Sequence, residues 1–137
     1  MTGDIDKARR IAIEAHEGQT KKTGGPIIDH VARVAAGVEG EDETIVAWLH
    51  DVVEKSPEWT LDRLRQEGFS EEVVQAVDAL TKRAGEEHAE LVRRASDNSL
   101  ARSVKRADLA DNLAQAEVSG VDASKYRIGL RILENDR

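Results

Sequence analysis

Side chains of the types that bind divalent metals stand at three separate places in the chain, at His30, at the doublet His50-Asp51 and at Asp108. Two imidazoles and two carboxylates could hold one divalent cation and leave coordination positions open for water. A doublet alone is weak support, because a lone His-Asp pair at a helix edge is more often a hydrogen-bonded surface pair. The chemistry therefore depends on the elements that bring the three places together.

The doublet lies in the apolar segment 45–54, which is predicted to be one continuous helix. Its apolar residues recur at the spacing of a buried helical face, and His50 lies at the edge of that face. Neighbouring helical positions point about 100° apart, so His50 and Asp51 can meet at one metal only over the groove between them. The remaining ligands must come from other helices.

Apolar periodicity and capping residues predict helices along the rest of the chain, and no strand pattern competes with them. Asp4 or Asp6 is expected to begin the first helix and Gly18 to end it. The later helices are expected to begin at Pro26, at Glu41 or Asp42, after the caps Thr60 and Ser70, near Glu86, at Leu100 after the Asn98 turn, and after the cap Ser124. The predicted fold class is all-α, a helical bundle in a single domain spanning 1–137.

Composition supports a helical domain and restricts its partners. Of the 137 residues, 34% are charged and none is cysteine, which excludes disulfides and thiolate chemistry. The net charge of −7 disfavours duplex nucleic acid, since phosphate binding needs a basic face. A charged N-terminus with no apolar run after it, and no run near the ~20 apolar residues of a membrane span, predict a soluble cytoplasmic protein without a membrane partner. The oligomeric state stays open.

Basic residues indicate where a small anionic substrate could bind. The glycine-rich loop 18–26 contains Lys21 and Lys22, and glycine permits close approach of the backbone to a ligand. The basic pairs at 82–83, 93–94 and 105–106 are further candidates for a local basic pocket. Most loops of this composition are plain connectors, and this one lacks the spacing of a P-loop.

His16 stands in the last turn of the first predicted helix. The helix macrodipole favours a positively charged imidazole there, so a capping role is as compatible with the sequence as a role in a site. Both roles stay open.

Five short segments, taken in order, resemble one known family. They are 15–19 (AHEGQ), 25–30 (GPIIDH), 49–54 (LHDVVE), 79–83 (ALTKR) and 105–112 (KRADLADN). In order and context they resemble the HD superfamily of metal-dependent phosphohydrolases, and within it the hydrolase domain of stringent-response alarmone proteins and the small stand-alone alarmone hydrolases. The resemblance covers nearly the whole chain and implies an HD-type helical bundle.

The resemblance also implies roles for particular residues. His30, His50, Asp51 and Asp108 would be the ligands of a single divalent metal, usually Mn²⁺. Glu54 would orient the attacking water and is the implied catalytic residue. The implied substrate-binding residues are Asn112, the loop lysines Lys21 and Lys22, and the phosphate contacts Lys82, Arg83 and Lys105.

The activity that the resemblance implies is hydrolysis of the 3′-pyrophosphate of guanosine tetra- or pentaphosphate to GDP or GTP and pyrophosphate. The implied partner is thus a small anionic nucleotide. A bound cation suits that reaction, because it lowers the pKa of a water molecule and neutralises charge on phosphoryl oxygens.

Departures from the family pattern keep two alternatives open. Lys21 stands where an arginine is usual, which keeps the charge but loses planar stacking and bidentate phosphate contact. One alternative is therefore an HD nucleotide phosphohydrolase of broader specificity. Lys55 stands where an acid usually follows Glu54, so the other alternative is a metal- and nucleotide-binding module with weakened catalysis. Lys55 could weaken Glu54 as a base and repel the metal, or it could hold a substrate phosphate.

Further differences concern the walls of the pocket. Ile27 replaces an aromatic residue of the family pattern, and His88 replaces a tyrosine. The C-terminal segment looks short against the family, so pocket residues from that end are expected to be missing.

Overall fold

The computed structural model describes residues 2–135, and apart from one isolated bridge between Thr20 and Pro26 the regular elements in that range are helices. In chain order they are α1 (Thr2–Ala15), α2 (Ile27–Ala36), α3 (Glu41–Leu49), α4 (Val52–Lys55), α5 (Leu61–Gln66), α6 (Glu71–Leu80), α7 (His88–Ser96), α8 (Ser99–Ser119) and α9 (Ser124–Asn135). The predicted all-α fold class is confirmed. None of these helices is long and apolar enough to span a membrane.

Helix α3 is the buried centre of the bundle. Its residues Ile45, Val46, Ala47 and Leu49 are buried, and the helix packs against α1, α2, α6 and α8. A second, smaller apolar cluster, made by Val92, Leu109 and Leu133, joins α7, α8 and α9. Because α2, α3 and α8 pack against one another, polar residues on these helices can meet at a single point inside the bundle.

Side-chain caps begin two helices where the sequence predicts them, and a third cap, Asn98, begins α8 one residue before the predicted start at Leu100. Thr60 and Ser70 each accept a hydrogen bond from the backbone N–H three residues further on, at 3.1 and 3.2 Å. Asn98 does the same for α8 at 3.0 Å. Each bond satisfies an N–H that has no partner within the first helical turn.

Two predicted helix starts are wrong. Helix α1 already includes Thr2, ahead of the expected caps Asp4 and Asp6. At α9 the side-chain acceptor is Asp122, whose carboxylate accepts from the N–H and the hydroxyl of Ser124 at 3.0 and 2.6 Å. Where two good capping residues lie close together, local sequence does not decide between them.

The predicted continuous helix over 45–54 is also wrong, because the chain turns at the doublet. Helix α3 ends immediately before His50 and α4 begins immediately after Asp51. In a continuous helix the carbonyl of Ala47 would accept from the N–H of Asp51. Here the Nδ1–H of His50 donates to that carbonyl at 2.6 Å, and Asp51 adopts φ −104° and ψ −3°, in the bridge region between helix and strand.

Candidate metal centre and cleft

The four predicted metal ligands lie together in the folded chain. One ligand atom each from His30, His50 and Asp51 lies within 4.8 Å of the other two. Asp108 Oδ1 is 2.8 Å from Nε2 of His30 and 3.4 Å from Nε2 of His50. Helix α2 supplies His30, the turn between α3 and α4 supplies the doublet, and α8 supplies Asp108. The centre therefore lies where three elements that are distant in sequence pack against one another.

Both imidazoles present Nε2 to the carboxylates of the centre. Each commits its Nδ1–H to an acceptor elsewhere: His50 donates to the carbonyl of Ala47 at 2.6 Å, and His30 donates to Asp111 at 2.6 Å. This tautomer is the one that a histidine needs to bind a metal through Nε2. Nε2 of His50 is also buried without a hydrogen-bond partner. Two nitrogen and two oxygen donors in this arrangement fit a divalent cation.

Electrostatic coupling within the centre is strong. Burial lowers the pKa of His50, but attraction to the carboxylates of Asp51 and Asp108 outweighs burial and raises it to about 9. Burial raises the pKa of Asp108, yet the ammonium of Lys105 and the two imidazoles bring it well below its usual value. The buried carboxylates thus attract positive charge, which a proton on His50 or a bound cation can supply.

An acidic residue that sequence reasoning missed orients His30. Asp111 Oδ2 accepts from Nδ1 of His30, while Nε of Arg33 donates to Asp111 Oδ1 at 2.7 Å. The pattern in the sequence could have indicated this contact, since Arg33 stands three residues after His30 and Asp111 stands three residues after Asp108. Such a carboxylate fixes the ring direction of a metal-binding histidine and raises its basicity.

Lys105 and Asn112, which lie on α8 with Asp108, both contact the carboxylate of Asp108. Nζ of Lys105, a buried ammonium, lies 2.9 Å from Asp108 Oδ2, and Asn112 donates to Asp108 Oδ1 at 3.2 Å. The remaining acceptor of Asn112, Oδ1, is buried without a hydrogen-bond partner. Both residues also line the cleft described next, so each could contact Asp108 and a ligand together.

A cleft of about 710 Å³ opens above the centre and is strongly cationic. His50, Asp51, Asp108 and Glu54 lie on its surface. The lysines that line it are Lys21, Lys22, Lys55, Lys82, Lys105 and Lys125. Burial lowers the pKa of Lys125, and repulsion from neighbouring lysines lowers it further. This local concentration of positive charge in a chain of net charge −7 favours a small anionic ligand.

The predicted catalytic residue, Glu54, lies at the edge of the cleft. Its Oε1 accepts from the backbone N–H of Lys82 at 3.1 Å, and its Oε2 is 3.4 Å from Nζ of Lys55. The first contact holds the carboxylate near the end of α6. The second places a cation directly beside it.

The glycine-rich loop folds into a compact turn at the cleft. The backbone N–H of Lys21 donates to the carbonyl of Gly25, and that of Gly24 donates to the carbonyl of Lys21, both at 3.0 Å. Gly24 and Gly25 have φ values of 99° and 82°, which side chains other than glycine rarely adopt. The hydroxyl of Ser119 on α8 donates to the carbonyl of Thr23 and ties the loop to the bundle.

Two expectations about the cleft need correction. Arg83 is outside its lining, because its guanidinium reaches away to Asp78 at 3.5 Å and its side chain is 59% exposed. The C-terminal segment does contribute, since α9 places Lys125 and Tyr126 on the lining. The ring of Tyr126 packs edge-on against His88, with centroids 6.4 Å apart.

Of the two roles that the sequence leaves open for His16, the structure does not favour the charged cap. Its side chain is fully buried, and its Nδ1 lies 2.8 Å from Oε1 of Gln19. Burial lowers the pKa of His16, although Gln19 and Asp51 oppose that effect. A neutral imidazole is thereby favoured at this helix end.

Comparison with known sequences adds a family match to this geometry. A family model described as HD domain matches residues 8–120. The chain is 40% identical over 76 residues, 53% of its length, to guanosine-3′,5′-bis(diphosphate) 3′-pyrophosphohydrolase of Haemophilus influenzae, of which the match covers 11%. It is 36% identical over 82 residues, 57% of its length, to the bifunctional (p)ppGpp synthase/hydrolase SpoT of Escherichia coli, again covering 11%. The chain spans about a tenth of the length of these curated relatives.

Proposed function

Since the chain belongs to the HD domain family, we propose that it is a metal-dependent phosphohydrolase that removes pyrophosphate from the 3′ position of guanosine tetra- or pentaphosphate. The observation that carries this proposal is the cluster of two histidines and two aspartates at the base of a lysine-lined cleft. The guanosine substrate is supported by relatives that are named as hydrolases of guanosine-3′,5′-bis(diphosphate).

The proposed metal ligands are His30, His50, Asp51 and Asp108, and the proposed ion is Mn²⁺. The same donor set also suits Fe, Co or Zn. The order of affinities for these metals does not by itself decide which one is loaded in the cell. When bound, such a cation lowers the pKa of a water molecule and neutralises charge on phosphoryl oxygens.

Glu54 is proposed to orient the attacking water and to accept its proton. The water oxygen forms a bond to the phosphorus attached to the ribose O3′, and the bond from that phosphorus to O3′ breaks. Pyrophosphate leaves, O3′ takes up a proton from solvent to become the 3′-hydroxyl, and Glu54 releases the proton it accepted from the water. The hydrogen bond from the N–H of Lys82 holds one oxygen of Glu54, and the other oxygen, Oε2, is proposed to contact the water.

The lysines of the cleft are proposed to bind the two phosphate arms of the substrate. Lys21 and Lys22 lie on the loop at one side, whereas Lys82 lies at the end of α6 and Lys105 on α8. Asn112 has a free acceptor in Oδ1, which suits a hydrogen-bond donor of the nucleotide. Positive charge from more than one side also excludes uncharged nucleosides.

A hydrolysis assay tests the proposal. The protein is incubated with Mn²⁺ and with guanosine tetraphosphate, its adenosine analogue, GTP or GDP, and the products are separated by chromatography. We expect pyrophosphate and GDP from guanosine tetraphosphate, and loss of both activity and bound metal in His50→Ala and Asp51→Ala. Equal metal content in the parent and in both variants would contradict the proposed centre, and turnover of the adenosine analogue at the same rate would support the broader-specificity alternative.

A second candidate function is a nucleotide-binding module with weakened catalysis. The observation that favours it is the ammonium of Lys55 at 3.4 Å from Oε2 of Glu54, because a cation there competes with the attacking water for the carboxylate and repels a bound metal ion. Tight binding of guanosine tetraphosphate without product formation in the same assay would identify this function.

A further inference from the structure

His16 is a buried imidazole at the end of α1 with one ring nitrogen unpaired. Its side chain is 0% exposed, and among the residues that the structure describes Nε2 has no hydrogen-bond partner. A buried polar atom without a partner costs about 1–3 kcal/mol. Such atoms are rare in folded proteins, so this one calls for a physical reason.

Gln19 determines which nitrogen of His16 carries the hydrogen. The amide Nε2 of Gln19 lies 3.2 Å from the carbonyl of Ala15 and 3.0 Å from the carbonyl of Lys55, and carbonyls only accept. The amide orientation is therefore set, and Oε1 of Gln19 faces Nδ1 of His16 at 2.8 Å. Since that oxygen also only accepts, Nδ1 is the donor and Nε2 of the neutral ring keeps a free lone pair.

Hydrogen bonds join the end of α1, where His16 lies, to α4, which begins immediately after Asp51. The hydroxyl of Ser56 donates to the carbonyl of Ala15 at 2.6 Å, which fastens the end of α1 to the end of α4. The charged groups that act on His16 are Asp51, His50 and Lys55. Gln19 and those three residues line the cleft, whereas His16 itself lies buried behind that wall.

The His16 ring can contact the proposed metal ligands indirectly. Nε2 of His16 is not among the ligand atoms of His30, His50 and Asp51 that lie within 4.8 Å of one another. Nε2 makes no direct hydrogen bond to those ligands, so a hydrogen-bonded link to the centre requires an intermediary. A water molecule can donate one hydrogen to a carboxylate and the other to an imidazole lone pair, and such bridging waters satisfy buried polar atoms.

We propose that His16 is a positioning residue of the metal centre, whose Nε2 accepts a hydrogen bond from a water molecule that also donates to Asp51. The inference rests on the proposed function, because Asp51 must be a metal ligand. Through this water His16 orients the carboxylate of Asp51, as Asp111 orients the ring of His30 directly. Outer contacts of this kind change metal affinity by about 10- to 100-fold.

Two matched variants distinguish the contribution of Nδ1 of His16 to Mn²⁺ affinity from that of Nε2. His16→Asn keeps a donor near the position of Nδ1, for Gln19, and removes the acceptor at Nε2. His16→Gln places an amide near the position of Nε2 and removes the donor to Gln19. Affinity for Mn²⁺ is measured by calorimetry on chelator-treated protein, with circular dichroism to establish that each variant is folded. We expect His16→Asn to bind Mn²⁺ at least about 10-fold more weakly than the parent and His16→Gln to stay within about threefold.

Weaker Mn²⁺ binding by His16→Gln than by His16→Asn would overturn the inference, because the hydrogen bond to Gln19 would then be the one that matters. Equal affinity of the two variants would also overturn it, because the acceptor at Nε2 would then make no difference. Nitrogen chemical shifts of the His16 ring provide a readout that is independent of metal and activity. The Nδ1–H tautomer is expected, and the Nε2–H tautomer would overturn the inference while leaving the proposed function intact. A parent protein that binds no Mn²⁺ would overturn both.

Discussion

Lys55 is the residue whose chemistry most directly opposes the proposed reaction. Its ammonium lies 3.4 Å from Oε2 of Glu54, and both side chains are only about a third exposed, at 37% and 30%. An ammonium at this distance pairs with the oxygen that the attacking water would use and repels a metal ion bound nearby. The contact favours the first of the two roles that the sequence left open, although Lys55 also lines the cleft.

Lys55→Asp is expected to raise kcat on guanosine tetraphosphate with Mn²⁺ by about tenfold, which corresponds to about 1.4 kcal/mol of barrier. The physical reason is loss of the cation beside Glu54 and gain of an acid near the metal. Steady-state kinetics measures the change, and Lys55→Gln, which only removes the charge, should give a smaller increase.

A higher KM with unchanged or lower kcat in Lys55→Asp would show instead that Lys55 binds a substrate phosphate. If neither parameter changes, the ammonium points into solvent during turnover, and the contact with Glu54 has no catalytic consequence.

Asp111 is the residue whose removal should weaken metal binding without removing a ligand. Asp111→Asn is expected to reduce Mn²⁺ affinity by about 10- to 100-fold, since a neutral amide holds the Nδ1–H of His30 less firmly than a carboxylate does. Calorimetric titration measures the affinity. Asp29→Asn, an exposed neighbour of His30 on the same helix, is the matched control and should bind as the parent does.

Parent-like affinity in Asp111→Asn would mean that packing alone orients the His30 ring. That result is possible only if the surrounding helices fix the imidazole, because Asp111 is the acceptor that its Nδ1 uses.

The connection between α6 and α7 depends on one arginine and one carboxylate. Nη2 and Nε of Arg94 donate to the two oxygens of Glu86 at 2.7 and 2.9 Å, and Arg94 also donates to the carbonyls of Asp78 and Thr81. The hydrogen bonds from Arg94 lower the pKa of Glu86 from 4.5 to about 2. The same segment carries Lys82, whose N–H donates to Glu54, so this ion pair also supports the edge of the cleft where Glu54 lies.

Glu86→Gln is expected to lower the free energy of unfolding by about 1 kcal/mol at pH 7. A carboxylate with a depressed pKa stabilises the fold above its unfolded pKa, so the difference from the parent should persist above pH 4.5 and shrink as the pH falls towards 2. Urea unfolding across this pH range measures it. Glu14→Gln, an exposed site on α1, serves as control, and a Glu86→Gln difference that does not vary with pH would contradict the assignment.

Across the whole molecule the proposed metal centre joins α2, the turn after α3 and α8, where α2 and α8 are also linked by the ion pair between Arg33 and Asp111. A cation bound by all three stabilises the folded state alone, by about 2.7 kcal/mol at a free concentration of 100 times Kd. For a chain of this size that stabilisation corresponds to a rise in Tm of about 10 °C.

Thermal unfolding of chelator-treated protein with and without Mn²⁺ measures the shift. His50→Ala should unfold at the same temperature in both conditions, because the centre then lacks a ligand. A parent Tm that does not respond to Mn²⁺ would show that the centre does not bind the ion in the folded state.

The sequence by itself determined the helices and the types of residues at the centre. Apolar spacing and the caps Thr60, Ser70 and Asn98 act within one or two turns of the chain, so they can be interpreted without the fold. The segments around His30, His50-Asp51 and Asp108 also carried the family resemblance, which the family match over residues 8–120 confirms.

Only the tertiary structure decided how those residues meet. The turn at the doublet depends on a hydrogen bond from the His50 ring, which no helical periodicity contains. The contacts of Asp111 with His30 and of Gln19 with Lys55 join residues 81 and 36 positions apart. Lys125 reaches the cleft, and Arg83 leaves it, because of how α9 and the end of α6 pack. Local patterns specify which element a residue occupies, whereas contacts between elements depend on the packing of the whole chain.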